Sequence, residues 1–304
     1  MSHILNARPL RALFASLLLV LAIPALAFAS PSALNGSGTS DDPYQIATAD
    51  DLRTLASEIG SSGTNFSYVL MNDIAFDATQ ENGYTPPPGT FKGTFDGDGH
   101  SISGINTTGR SALFQVVNGA TIKNLTIKDS LVTSSDGYVG AFAATSDNSK
   151  FENCTNEATI NGTKIVGGIV GNPKSTEFSN CTNNGSVTGG NQVGGIAGFS
   201  SYDCIFTRCV NNGTITSLGN DGKAGGIIGQ SDHDAFVNCY NTGEFVGAVY
   251  GGGIAGTLNT LNSSVPSTGL FNYQEATGSY SKGGLTGFSY LYACTRMPRR
   301  ASAS

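Results

Sequence analysis

Gly167-Gly168-Ile169-Val170-Gly171 is the stretch that decides the fold, because it comes back. It recurs as Gly194-Gly195-Ile196-Ala197-Gly198, as Gly225-Gly226-Ile227-Ile228-Gly229 and as Gly252-Gly253-Ile254-Ala255-Gly256. A fifth copy reads Gly283-Gly284-Leu285-Thr286-Gly287, and the successive steps are 27, 31, 27 and 31 residues. Self-similarity at such a period marks a stacked repeat architecture. Weaker copies stand upstream at Gly140-Ala141-Phe142 and Ala112-Leu113-Phe114.

A second element keeps step with the first. Asn153-Cys154-Thr155-Asn156, Asn180-Cys181-Thr182-Asn183, Arg208-Cys209-Val210-Asn211 and Asn238-Cys239-Tyr240-Asn241 fall at matching places. Four residues past each Cys stands a small residue: Ala158, Gly185, Gly213 or Gly243. Two further on stands an apolar one: Ile160, Val187, Ile215 or Phe245. One such unit is too small to bury its apolar face, so units must stack. Each is expected to form a rung of two or three short strands, hydrogen-bonded to the next rung at about 4.8 Å. Ile169, Ile196, Ile227 and Ile254 then make one inward ladder, with Val166, Val193 and Ala224 in support. Each buried aliphatic side chain is worth roughly 1.5–3 kcal/mol against exposure. This density of Gly and β-branched residues excludes a helical repeat. The fold expected is all-β, a right-handed parallel β-helix (solenoid) with a short helix-containing cap at its N-terminal end.

Composition agrees. Gly makes up 41 of 304 residues and charged residues only 12%, where ordinary usage gives Gly about 7%. Residues 1–29 read as a signal peptide: Arg8 and Arg11, an apolar run from Ala12 to about Ala27, then small residues at Ala27-Phe28-Ala29. No second long apolar stretch follows, so no membrane insertion is expected once the leader is removed. Five arginines lie in the leader or tail (Arg8, Arg11, Arg296, Arg299, Arg300), and no acid does. The sixteen basic residues less these five leave eleven against 22 acidic ones. A body so acidic repels nucleic acid and anionic lipid.

The phased pair of motifs resembles the GLUG repeat of bacterial surface proteins, a family that includes adhesin-like proteins and the non-catalytic N-terminal regions of IgA-specific metallopeptidases. The resemblance extends upstream through Gly36-Ser37-Gly38-Thr39 and Asp42-Pro43-Tyr44-Gln45-Ile46. Thr48 is placed to cap a helix over Ala49–Ile59, with Leu52, Leu55 and Ile59 on one face. A strand over Phe66–Ile74 and a strand with a turn over Phe91–His100 follow. The organisation expected is thus a cap with first coils over 36–110, repeats over 111–287 and an irregular basic tail over 288–304. That tail carries no polar cap of the kind a solenoid end needs. It reads as a truncated or frame-shifted end, leaving a last rung open to end-to-end self-association.

Few residue groups are of a kind that carries chemistry. Six cysteines in an exported chain invite disulfides, yet Cys154, Cys181, Cys209 and Cys239 share one position in successive units, which fits a buried column of small apolar residues. Neighbouring rungs also set their Cα atoms within disulfide reach, so both states stay open. Tyr273 is expected to take the same slot in the next unit, while Cys204 and Cys294 lie outside the register. Asp232-His233-Asp234 is a metal candidate outweighed by a solvated loop, and Asp96, Asp98 and His100 suit a tight turn better than a cation. No His-Glu-x-x-His motif occurs, so the zinc peptidase activity of some relatives is not expected.

Glycan cleavage is the serious enzyme alternative, because β-helices often host polysaccharide lyases and hydrolases, and it needs clustered acids, or acids with a base, along one groove. Asp203, Asp221, Asp232, Asp234 and Glu244 fall mainly in turns without a shared register, and Arg208 and Lys223 stand isolated. Sequons such as Asn124-Leu125-Thr126, Asn161-Gly162-Thr163 and Asn212-Gly213-Thr214 read as turn and ladder asparagines. No catalytic, metal or cofactor-binding residue is assigned. The expected function is a secreted or cell-surface scaffold, adhesin-like, whose partner is a host-matrix protein or a glycan. The alternative is a polysaccharide lyase or glycoside hydrolase on the same fold.

Overall fold

A computed structural model describes residues 34–289, apart from 63–64, 81–82, 136, 273–277 and 284–285. The expected leader over 1–29, most of the expected tail, Tyr273 and Cys294 lie outside the described residues.

The chain winds as a parallel β-solenoid. Three sheets run along it: one of eighteen short strands from Tyr44–Ile46 to Phe271–Asn272, one of six from Tyr138–Gly140 to Gly278–Gly283, and one of eight from Thr90–Phe91 to Thr286–Ser289. Each strand pairs in parallel with its counterpart a rung on, as Ile165–Gly167 does with Gln192–Gly194. In-register pairing makes side-chain columns, and the columns make the core.

The longest column starts in the cap. Tyr44 pairs with Tyr68, Tyr68 with Phe95, Phe95 with Ile122, and Ile122 with Phe151. Phe178, Phe206 and Phe236 continue it. The last four rings stack nearly flat, with centroids 5.3, 4.9 and 5.2 Å apart. Offset ring pairs at such distances add about 0.5–1.5 kcal/mol beyond area burial. The expected Gly-Gly-Ile column is present too: Ile169, Ile196, Ile227 and Ile254 are buried, and Phe142 and Leu113 extend it upward. Val139, Val166, Val193 and Ala224 form a parallel buried column beside it.

A helix, α1 (Ala49–Ser62), fills the place of the remaining strands in the first coil. Thr48 Oγ1 accepts from the Asp51 N–H at 3.2 Å, and Asp51 Oδ2 accepts from the Ala47 and Thr48 N–H groups at 3.0 and 2.9 Å. That reciprocal pair satisfies donors the helix start leaves open. Leu52, Leu55 and Ile59 are fully buried, so the helix covers apolar surface that the first rung would otherwise present to water. It runs three residues beyond the expected end at Ile59. The strand expected over Phe66–Ile74 is two, Ser67–Leu70 and Ile74–Ala75, because the chain must turn between two positions of one rung.

The register corrects one expectation outright. Tyr240 pairs with Phe271 and Asn241 with Asn272, so Leu270, not Tyr273, stands in the cysteine slot of the last rung. Asn272 matches the second asparagine of the motif rather than the first. Gly269, with φ +65, takes the first asparagine's place.

Candidate functional site

Two asparagine columns run beside the cysteines, and they differ in surroundings. The inner one is buried. Asn156 Nδ2 donates to Asn183 Oδ1 at 2.7 Å, Asn183 to Asn211 at 2.7 Å, Asn211 to Asn241 at 2.7 Å and Asn241 to Asn272 at 3.0 Å. The same amide groups also donate to the Gly185, Gly213 and Gly243 carbonyls at 3.0, 2.9 and 2.9 Å. Each buried amide is thereby satisfied on both sides, which such a group requires. Above Asn156 the column turns apolar, to Ile127, Ile102 and Ile74.

The outer column is left-handed and, from Asn153 onward, exposed. Asn124, Asn153, Asn180, Arg208 and Asn238 all hold φ between 51° and 54°. Asn153 Nδ2 donates to Asn124 Oδ1 at 2.8 Å and Asn180 Nδ2 to Asn153 Oδ1 at 3.0 Å. Arg208 continues the line, its Nε donating to Asn180 Oδ1 at 2.6 Å. Asn tolerates this backbone region far better than most residues, which accounts for the repeated letter.

A third column holds the metal candidate. Gly119, Asn148, Ser175, Asp203 and His233 occupy successive left-handed corners, with φ from 44° to 63°. The residue after each corner points inward: Ser149, Thr176, Cys204 and Asp234 are all buried. Asp234 is therefore not solvated, contrary to the loop reading. Its Oδ1 accepts from Ser200 Oγ at 2.7 Å and from the Cys204 N–H at 2.8 Å, and its Oδ2 from Ser231 Oγ at 2.7 Å. Burial pushes its carboxyl up to about 6, against the pull of those donors. The Cys204 thiol is pushed up by its own burial and by the charge of Asp234. Cys204 thus has a register of its own.

Asp232, His233 and Asp234 do not converge. Asp232 Oδ1 accepts from Thr260 Oγ1 at 3.3 Å, while His233 Nδ1 meets Asp203 Oδ1 at 2.5 Å one rung back. The His233 ring also stacks on Tyr202, centroids 5.0 Å apart. Among the described residues, no three His, Cys, Asp or Glu side chains come together in a set that could hold a metal ion. Asp96 behaves as a turn residue: its Oδ1 accepts from the Asp98 N–H at 2.9 Å and from Asn124 Nδ2 at 3.0 Å, and its Oδ2 pairs with Lys123 at 3.0 Å. His100 lies 3.4 Å from Asp73 instead. Asp221 and Glu244 are exposed in turns. Lys223 Nζ donates to Gln230 Oε1 at 2.9 Å, and Gln192 Nε2 reaches the same oxygen at 3.2 Å, bridging the second and third sheets.

One concavity was not read from the sequence. In the strand Thr121–Ser134, Asp129 takes φ 46° and the register against Lys150–Gly162 shifts by one residue. This β-bulge opens a groove of about 350 Å³ lined by Asn106, Asp129, Leu131, Glu157 and Thr159, among others. The signal was available: Leu125 to Val132 spans one residue more than Cys154 to Ile160. Glu157 Oε1 there accepts from Asn184 Nδ2 at 3.3 Å.

No family model matches the chain. A stretch of 151 residues, 45% of the chain, is 32% identical to halomucin of Haloquadratum walsbyi (strain DSM 16790 / HBSQ001). The match spans only 2% of halomucin's length. Among solved structures, a candidate immunoglobulin A1 protease from Bacteroides ovatus covers 84% of this chain and 86% of its own, at 21% identity and a TM-score of 0.46. Among the described residues no helix is long and apolar enough to cross a membrane.

Proposed function

We propose that the chain is a secreted or cell-surface scaffold of the GLUG-repeat type, an adhesin-like binding module without catalysis of its own. One observation carries this reading: the side chains best suited to chemistry are engaged in holding rungs together. Asp234 caps buried donors, Arg208 continues an asparagine column, and Lys223 ties two sheets. Chemistry needs groups free to meet a substrate in a shared site, and fold likeness alone confers none. The match to halomucin, by its name a mucin-like protein, supports an extracellular setting. The acidic balance of the body disfavours nucleic acid as a partner. The partner proposed is a host-matrix protein or a glycan.

The bulge groove favours a second reading, a glycan-active enzyme, because it sets Asp129 and Glu157 along one concave surface. An array of matrix proteins and glycans probed with the chain freed of residues 1–29 tests the first reading. Saturable retention on one class is expected, and no retention above background on any class would overturn it.

A further inference from the structure

Four thiols stand in one column. Thr155 pairs with Thr182, Thr182 with Val210 and Val210 with Tyr240, so Cys154, Cys181, Cys209 and Cys239, each one residue earlier, share a register position. All four are fully buried and free. Their sulfurs lean the same way. Cys154 Sγ donates to the Ile122 carbonyl at 3.4 Å, Cys181 to Phe151 at 3.3 Å, Cys209 to Phe178 at 3.6 Å and Cys239 to Phe206 at 3.3 Å. Paired strands lie about 4.8 Å apart, and disulfides join Cα atoms roughly 4.4–6.8 Å apart. The Cα atoms of successive cysteines therefore fall in the range a disulfide spans, and a change of side-chain rotamer at one of each pair would bring the sulfurs together.

We propose that this column is a covalent modification site, in which Cys154 joins Cys181 and Cys209 joins Cys239 as two disulfides that staple successive rungs. The pairing follows from counting neighbours. A bond between the middle two would leave Cys154 and Cys239 three rung spacings apart, roughly 14 Å, with no partner for either. Only the two outer steps use all four sulfurs. Cys204 belongs to the corner column and pairs with none of them.

The chemistry balances with an external disulfide as oxidant, either a small molecule or an oxidoreductase. One cysteine gives up its proton and its thiolate attacks the oxidant's sulfur, breaking that S–S bond and releasing one thiol. The neighbouring thiolate then attacks the mixed disulfide, closes the protein bond and releases the second thiol. Two electrons and two protons leave the protein for each staple. Because the sulfurs are shut from solvent once rungs stack, the exchange takes place during folding. Burial then shields the finished bond from reductant. The staples do not depend on what the surface binds.

The test refolds the full chain from guanidinium in a buffer of oxidised and reduced glutathione. It is then denatured and alkylated, and its intact mass and unreduced tryptic peptides are read. Lys164 and Lys174 separate Cys154 from Cys181, Arg208 separates Cys181 from Cys209, and Lys223 separates Cys209 from Cys239. Cys181 and Cys204 share a peptide, which fragmentation resolves. The expected result is two linked pairs, four of six cysteines resisting alkylation, and a thermal midpoint roughly 5 °C or more above the reduced protein. Alkylation of all four column cysteines, or a principal Cys181–Cys209 link, would overturn the proposal. The variant Cys154→Ala provides a second reading, since the slot above it is already filled by Leu125. It should keep the Cys209–Cys239 link and leave Cys181 alkylated, and a shift to Cys181–Cys209 would count against the assignment.

Discussion

A β-carbon on Gly195 would stand 2.4 Å from Oδ1 of Asn211 and 2.3 Å from the Gly226 carbonyl. Gly168 bears the same relation to Asn183, at 2.7 Å. In the four described pairs the second glycine is thus the seat of an asparagine from the other motif. That contact is why the two motifs keep phase: one supplies the amide column and the other supplies the space for it.

Gly195→Ala should therefore destabilise the fold by about 2 kcal/mol or more, since overpacking a filled core costs on that order. Gly137→Ala is the control, because nothing lies within 4 Å of its added methyl. Urea unfolding of both variants checks the contrast, and equal midpoints would contradict the seating.

Asn183→Ala removes an interior member of the amide column. Asn156 Nδ2, Asn211 Oδ1 and the Gly185 carbonyl each lose a partner in a dry interior. Stranded buried polar groups cost about 1–3 kcal/mol each, so a loss of roughly 3 kcal/mol is expected in chemical denaturation. A change below about 1 kcal/mol would mean water enters to replace the amide.

Arg208 is the odd member of the outer column, holding φ 51° where its neighbours are asparagines. Arg208→Asn should raise stability by about 0.5–1 kcal/mol, because Asn adopts this backbone region at lower cost. Thermal melts of the two proteins side by side measure it, and a lower midpoint for the variant would contradict the strain.

Asp234 predicts the pH dependence. Its carboxyl sits at about 6 in the folded protein, above the roughly 3.9 of an unfolded chain. The folded state therefore holds the extra proton between about pH 4 and 6, and stability rises as pH falls through that window. The gain is on the order of 2–3 kcal/mol at one pKa unit per 1.4 kcal/mol. Asp234→Asn should flatten that slope and raise stability above pH 7. Denaturation midpoints from pH 4 to 8 decide it, and an unchanged slope would place the titration elsewhere.

The repeat region was legible because each slot there keeps its letter. Gly-Gly-Ile and Asn-Cys-x-Asn show themselves where one residue alone satisfies the geometry, as at a glycine seat or a left-handed corner. The aromatic column was written three residues before each cysteine, as Phe151, Phe178, Phe206 and Phe236, and still went unread. Further up, Tyr44, Tyr68, Phe95 and Ile122 fill the same slot with changing letters, since that slot asks for apolar volume rather than a particular side chain. The corner column hid for a related reason. Gly119, Asn148, Ser175, Asp203 and His233 share a backbone angle and nothing in their chemistry. Asp234 therefore looked like a solvated loop residue, though the corner before it turns its carboxylate into the core. The groove at Asp129 depends on a single inserted residue, which local patterning does not separate from a longer strand.

The central claim is a scaffold that binds without turning its ligand over. It is tested most directly by incubating the chain freed of residues 1–29 with neutral and acidic polysaccharides and following reducing ends and unsaturated products over time. The expected result is no product above the blank, with Glu157→Gln indistinguishable from the parent. Sustained product release that Glu157→Gln or Asp129→Asn abolishes would contradict it and turn the bulge groove into an active site.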